Sequence, residues 1–187
     1  MTERKYLNQI KKDWEYITSS PLILEAKEWY PREREWSSEM AKNYSIDLQQ
    51  VTGMYAAFSP LKSVKENKKI LINFLNGSRY GHTSRQINKA ELISQTNKIE
   101  EIDVILSGRK TVAFHRHLFN PKDKTKVVID THLIKYFNNG NIIPLTPKRY
   151  SMYENAIKKW SEKINMYPSE VQATLWLLAK ERYGINV

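Results

Sequence analysis

The chain contains no cysteine. This excludes disulfides, thiol nucleophiles, thiolate zinc sites and cysteine-ligated iron–sulfur clusters together. Glycine and proline are scarce, at 6 and 7 of 187 residues. That is too few for a many-turned β-sandwich, a flexible linker or a collagen-like repeat. No apolar run approaches the ~20 residues a membrane span requires, and the mean hydropathy is −0.61, so no membrane partner is expected. The charged stretch of residues 1–12 is not followed by an apolar signal core, so export is not expected and a cytoplasmic location is.

What is present is a core and an excess of positive charge. Hydrophobic residues make up 41% and aromatics 11%, including 5 Trp and 11 Tyr, enough to fill the interior of one domain spanning residues 1–187. Thirty Lys and Arg against twenty Asp and Glu leave a formal charge of +10. A domain this basic implies a polyanionic partner, nucleic acid first. The plainer explanation is a Lys-, Asn- and Ile-rich composition inherited from an AT-rich genome.

Apolar residues recur at helical spacing almost throughout. Leu48, Val51, Tyr55 and Phe58 follow Asp47 as a cap. Ser63 and Glu66 form a capping-box pattern ahead of Ile70–Leu75, with Gly77 as a stop. Thr83 and Gln86 repeat the pattern ahead of Ile87, Ala90 and Ile93. Tyr153, Ala156, Ile157, Trp160 and Ile164 make one stripe. Val171, Leu175, Leu178 and Arg182 make another, opened by Pro168 and closed by Gly184. Tyr6 to Trp36 reads as two or three helices broken near Pro21 and Pro31, with Trp14, Trp29 and Trp36 as packing anchors. The β-branched run 126–129 and the segment 142–144 are too short to build a sheet, and the first reads better as an extended approach to a helix. The expected fold is all-α, with roughly nine or ten short helices: N-terminal helices over 1–45 packing on the core, a hairpin region over 99–119, and C-terminal helices over 130–187.

The informative stretch runs from Ile102 to Phe137. One helix ends at Leu106-Ser107-Gly108 and another begins with Arg109-Lys110-Thr111. Gly108 is placed to let the backbone turn sharply. The amides opening the second helix, with Arg109 and Lys110, can hold a phosphate. After 20 more residues Asp130 stands at the start of a third helix, Asp130-Thr131-His132, behind an apolar extended run.

These residues resemble the helix-hairpin-helix DNA glycosylase superfamily, in its endonuclease III-like branch. That family carries a Leu-Pro-Gly-x-Gly-Arg-Lys-Thr-Ala hairpin, a gap of about 20 residues and an apolar-Asp-Thr-His helix start. Residues 51–67 resemble the family's helix–loop–helix that places a DNA-contacting loop, with Ser59-Pro60 in the loop. Residues 171–184 resemble its last core helix. The similarity covers about 47–184 and extends to small glycosylase-like proteins of bacteriophage genomes, for which the host cytoplasm is the expected compartment. This chain differs in having one hairpin glycine in place of two and no cysteine cluster motif, so no iron–sulfur cluster is implied.

The resemblance implies a two-lobed fold with its active site in the cleft between lobes. The implied activity is cleavage of an N-glycosidic bond on a base flipped out of double-stranded DNA. Asp130 takes the role of the carboxylate that stabilises the oxocarbenium-like sugar. Lys110 matches the position of the Schiff-base lysine in bifunctional members, which adds lyase activity. Gly108, Arg109, Thr111, Ser59, Arg116 and Lys126 are the expected DNA contacts, with Lys122 and Lys124 extending a phosphate track. His132, His117 and Tyr150 are candidates for the pocket, His117 because it shares a helical face with Lys110 and Phe114. A flipping enzyme also needs a wedge or stacking residue, which the residue pattern does not single out.

Plainer roles stand beside each of these. Asp130 makes a good helix cap without any catalysis, Lys110 a simple phosphate contact, and His132 a local hydrogen bond. His115 and His117 are spaced for one face of a strand, not of a helix, and no third ligand accompanies them, so no metal and no cofactor are expected. A monomer is expected. Two other functions compete: a non-catalytic DNA-binding protein on the same fold, and an enzyme of modified-base metabolism using a glycosylase-like scaffold. No phosphate-loop motif supports a nucleotide cofactor for the latter.

Overall fold

A computed structural model describes residues 3–184. It contains ten helices: α1 (Glu3–Ile17), α2 (Leu22–Tyr44), α3 (Leu48–Ala57), α4 (Val64–Leu75), α5 (Ser84–Ile93), α6 (Ile99–Leu106), α7 (Arg109–Phe119), α8 (Thr131–Phe137), α9 (Pro147–Lys163) and α10 (Pro168–Tyr183). Among the described residues there is no strand, and no helix is long and apolar enough to cross a membrane. The fold is all-helical. The chain divides into two compact units, one formed by residues up to Arg32 together with Pro121 onward, the other by Glu33–Asn120.

The first unit is built around α10. Val171, Ala173, Thr174, Leu175, Leu178 and Ala179 are all buried, so this helix is covered on several faces and packs against α8 and α9. Its start is fixed by Pro168 at the first helical position and by Glu170, whose carboxylate accepts the Tyr167 N–H at 2.8 Å. Helix α1 buries Tyr6, Ile10, Trp14 and Ile17, one stripe at helical spacing, against α9. Trp14 meets Trp160 edge-on at 6.1 Å. Tyr6 meets Tyr153 edge-on at 4.7 Å, and Tyr153 stacks on Phe137 at 4.5 Å. Each such side chain contributes about 1.5–3 kcal/mol on burial, so these aromatics anchor the unit. Residues 126–130 form no strand, and Asp130 is extended at the head of α8.

The second unit is organised by α3, buried from Val51 to Ala57. Gly53 permits this: a methyl group there would lie 2.7 Å from Cγ2 of Ile102 on α6 and 3.0 Å from Cγ2 of Ile93 on α5. The predicted capping box of α4 forms, with the Ser63 N–H donating to Glu66 at 3.0 Å and the Glu66 N–H donating to Ser63 Oγ at 3.2 Å. The one predicted for α5 does not. Thr83 makes no side-chain cap, and its N–H donates instead to Nδ1 of His82 at 2.8 Å.

The break predicted near Pro21 is present, but α2 runs through Pro31 without ending. Proline removes one helical hydrogen bond. Anchors on both sides hold the backbone regardless. In the first unit the buried Tyr30 hydroxyl donates to Gln172 at 2.8 Å. In the second, the buried carboxylate of Glu33 accepts from Tyr55 at 2.6 Å and from Lys68 at 2.9 Å.

Candidate functional site

In the first unit the approach to Asp130 is held by side chains in place of a neighbouring strand. Val127 donates its N–H to Glu154 at 3.1 Å and accepts from the Tyr150 hydroxyl at 2.7 Å. Both partners lie on α9, and Val127, Val128 and Ile129 are buried. Val127 therefore satisfies its backbone groups without a sheet, and the buried run leads Asp130 to the head of α8. Tyr150, expected as a pocket residue, is itself buried as a clamp on this segment.

Both oxygens of the Asp130 carboxylate are engaged. Oδ1 accepts the Leu133 N–H at 3.0 Å, the cap of α8. Oδ2 accepts the indole N–H of Trp176, on α10, at 3.0 Å. Trp176 is ringed in turn by His132, edge-on at 5.5 Å, by Trp29, tilted at 6.1 Å, and by the Lys180 ammonium 4.4 Å from its centroid. Tyr30 stands within electrostatic reach. Its hydroxyl is pushed well above the ordinary tyrosine range, first by burial and then by the charges of Asp130 and Tyr150. The result is a half-buried carboxylate set among aromatic rings. Trp176 and Tyr30 are members of this site that residue spacing did not reveal, and Trp29, expected as a packing anchor, also belongs to it. His132, a candidate from the sequence, lies within it.

In the second unit α6 and α7 form a helix–turn–helix hairpin. The turn is tighter than the glycine argument implied. Gly108 is extended, with φ −89°, and the left-handed position is taken by Ser107 at φ 59°. The Gly108 N–H donates back to the Leu106 carbonyl at 2.7 Å, closing a three-residue turn around Ser107. Thr111 Oγ1 donates to the Gly108 carbonyl at 3.0 Å. Lys89, on α5, donates to the Leu106 carbonyl at 2.6 Å and to Ser107 Oγ at 3.1 Å. Arg109 is exposed and Lys110 half-exposed in the first turn of α7.

Several predicted contacts are placed differently. His117 is fully buried, so it does not line the hairpin surface with Lys110; α7 is short and sits with that face against the core of its unit. Arg116 is engaged by Asp103, at 2.9 Å from Nε and 2.8 Å from the terminal nitrogen, and His115 meets the other oxygen of that carboxylate at 3.2 Å. His115 is thus a structural partner of Asp103. Ser59 turns its hydroxyl onto the Ala56 carbonyl at 2.9 Å. Lys126 is exposed. Lys110 belongs to the second unit and Asp130 to the first.

Beyond Ser59 the α3–α4 loop carries an outlier. Leu61 is left-handed, with φ 60°, and fully exposed, a costly arrangement for a bulky residue. Tyr80, in the α4–α5 loop, is 84% exposed. The two loops are tied together by His82. Its Nδ1 accepts the Thr83 N–H, which leaves Nε2 as the donor to the Pro60 carbonyl at 3.1 Å.

No match was found among curated proteins or among solved structures. The model of a family of unknown function, DUF7178, matches residues 1–183, and the chain belongs to that family.

Proposed function

We propose that the protein is a DNA N-glycosylase of the two-lobed helix-hairpin-helix kind, acting on a damaged or modified base flipped out of the duplex. The observation that carries this reading is the setting of Asp130: a carboxylate at a helix head, preceded by a buried run and oriented by the Leu133 amide and by the Trp176 indole, which itself packs against His132 and Trp29. The α6–α7 hairpin, with Arg109 and Lys110 opening α7, supports DNA contact. So do the exposed side chains of Leu61 and Tyr80 on the α3–α4 and α4–α5 loops. An apolar wedge fills the gap that a flipped base leaves in the stack.

In the reaction the flipped sugar gains positive charge at C1′ as the base departs. The Asp130 carboxylate stabilises that charge. The electron pair of the broken carbon–nitrogen bond leaves with the base. A water oxygen bonds to C1′ and releases its proton to solvent. In the bifunctional form the Lys110 amine displaces the base at C1′. An imine forms as the sugar ring opens, and β-elimination expels the 3′ phosphate.

The test is unbiased base release. Wild type and Asp130→Asn are incubated with DNAs carrying normal, damaged and hypermodified bases, and the freed bases are read by mass spectrometry. Release by wild type alone is the expected result. Borohydride trapping of a covalent DNA adduct, lost in Lys110→Gln, reports the lyase step. A second reading, a non-catalytic DNA-binding protein, is favoured by one fact: both Asp130 oxygens already serve structural bonds. Binding without release of any base decides for it.

A further inference from the structure

The Lys89 ammonium occupies an unusual position. It sits on the last carbonyl of α6, which also accepts the Gly108 N–H, and on the Ser107 hydroxyl. Both partners are neutral. Among the described residues no carboxylate pairs with it, and the acids of α5 and α6 that form ion pairs do so elsewhere: Asp103 with His115 and Arg116, Glu101 with Lys98, and Glu91 with Arg79. The cation acting on it is Arg85, one turn earlier on α5. Lys89 is half-exposed, and its pKa is lowered, first by burial and then by Arg85. An ammonium has three donors, and two are used here. A partly desolvated cation bonded only to neutral groups, with a third N–H left over, calls for an anion from outside the chain.

We propose that Lys89 is a DNA-phosphate contact: fixed on the α6–α7 turn by Leu106 and Ser107, its ammonium directs its third N–H to a backbone phosphate lying against the hairpin. This rests on the DNA-binding reading above. The short turn, with Ser107 left-handed and only one glycine, thus acquires from α5 a cation in addition to Arg109 and Lys110. One side chain both closes the turn and meets the ligand.

The experiment measures duplex DNA affinity by fluorescence anisotropy from 50 to 200 mM salt for wild type, Lys89→Met and Lys89→Arg. Circular dichroism and thermal melting of each variant serve as fold controls. Each phosphate contact steepens the slope of log affinity against log salt by about 0.9. Lys89→Met is expected to flatten the slope by about that amount, so that its affinity falls about 3.5-fold less than that of wild type over this range. Lys89→Arg is expected to keep the wild-type slope. Weaker binding with an unchanged slope marks Lys89 as a turn-holding residue only and overturns the phosphate contact, as does unchanged binding. A wild type that binds no duplex at low salt overturns the DNA reading itself, and the phosphate contact with it.

Discussion

The indole N–H of Trp176 donates to Oδ2 of Asp130 at 3.0 Å, across 46 residues of sequence. The other carboxylate oxygen is held by the Leu133 amide, so the orientation of the group is set by two donors from different helices. Trp176→Phe keeps the ring and removes one donor. Its expected cost is about 1–2 kcal/mol in urea unfolding. Under the glycosylase reading, base release falls about tenfold while DNA affinity is retained. Unchanged turnover in this variant would separate the indole from the chemistry.

Cap and charge can be told apart at Asp130. Asparagine is as good a helix cap as aspartate, whereas alanine costs about 1 kcal/mol. Asp130→Asn keeps the cap through its one carbonyl oxygen but turns an NH2 toward the Trp176 indole, so it is expected to lose about 1–2 kcal/mol. Asp130→Ala, which also loses the cap, is expected to lose more. Under the glycosylase reading base release is lost in both. Melting curves beside release assays make the comparison.

Under the glycosylase reading, the turn at Leu61 pits stability against function. A left-handed conformation costs an L-residue about 1–2 kcal/mol, and glycine gives back part of that through the unfolded chain. Leu61→Gly is expected to raise the unfolding free energy by about 0.5–1 kcal/mol and to lose base release on duplex DNA. Release from single-stranded DNA, where no gap needs filling, should survive.

Acid sensitivity should trace to Asp103. Burial pushes its carboxyl up, but hydrogen bonds from His115 and Arg116 and their charges outweigh this, and its pKa falls below the usual 3.8. A depressed carboxylate pKa contributes stability that is fully present above the unfolded value and is lost as pH falls through the folded one. Stability should therefore hold down to about pH 4 on this group's account and drop below it. Asp103→Asn should be less stable at neutral pH and show a flatter decline in acid. Denaturant midpoints measured from pH 7 to pH 2 test this.

Packing around Gly53 has no slack. An added methyl meets Ile102 at 2.7 Å and Ile93 at 3.0 Å. Gly53→Ala should destabilise by about 1–3 kcal/mol through overpacking, despite alanine's better helix propensity. The urea midpoint reports it, and Ile102→Ala in the same chain should recover part of the loss.

The helices were largely legible because their signals are local. Ser63 with Glu66 and the stripe through Tyr153, Ile157 and Trp160 each act within a few residues. So does Asp130 in its role as cap of α8. Exceptions arose where a neighbour outside the local window intervened. Buried anchors from distant helices carried α2 through Pro31, and the adjacent His82, itself held by the Pro60 carbonyl 22 residues away, took the Thr83 amide.

The sequence by itself determined an all-helical chain, the position of nearly every helix, and the two segments that could carry chemistry. Only the tertiary structure decided the partners: Trp176 on Asp130, Lys89 on Leu106, Arg116 on Asp103, and the burial of His117 and Tyr150. The physical reason is range. Helix formation depends on backbone bonds four residues apart and on one apolar face. A side-chain hydrogen bond between distant residues depends on which faces of two helices meet, and periodicity within either helix does not specify that.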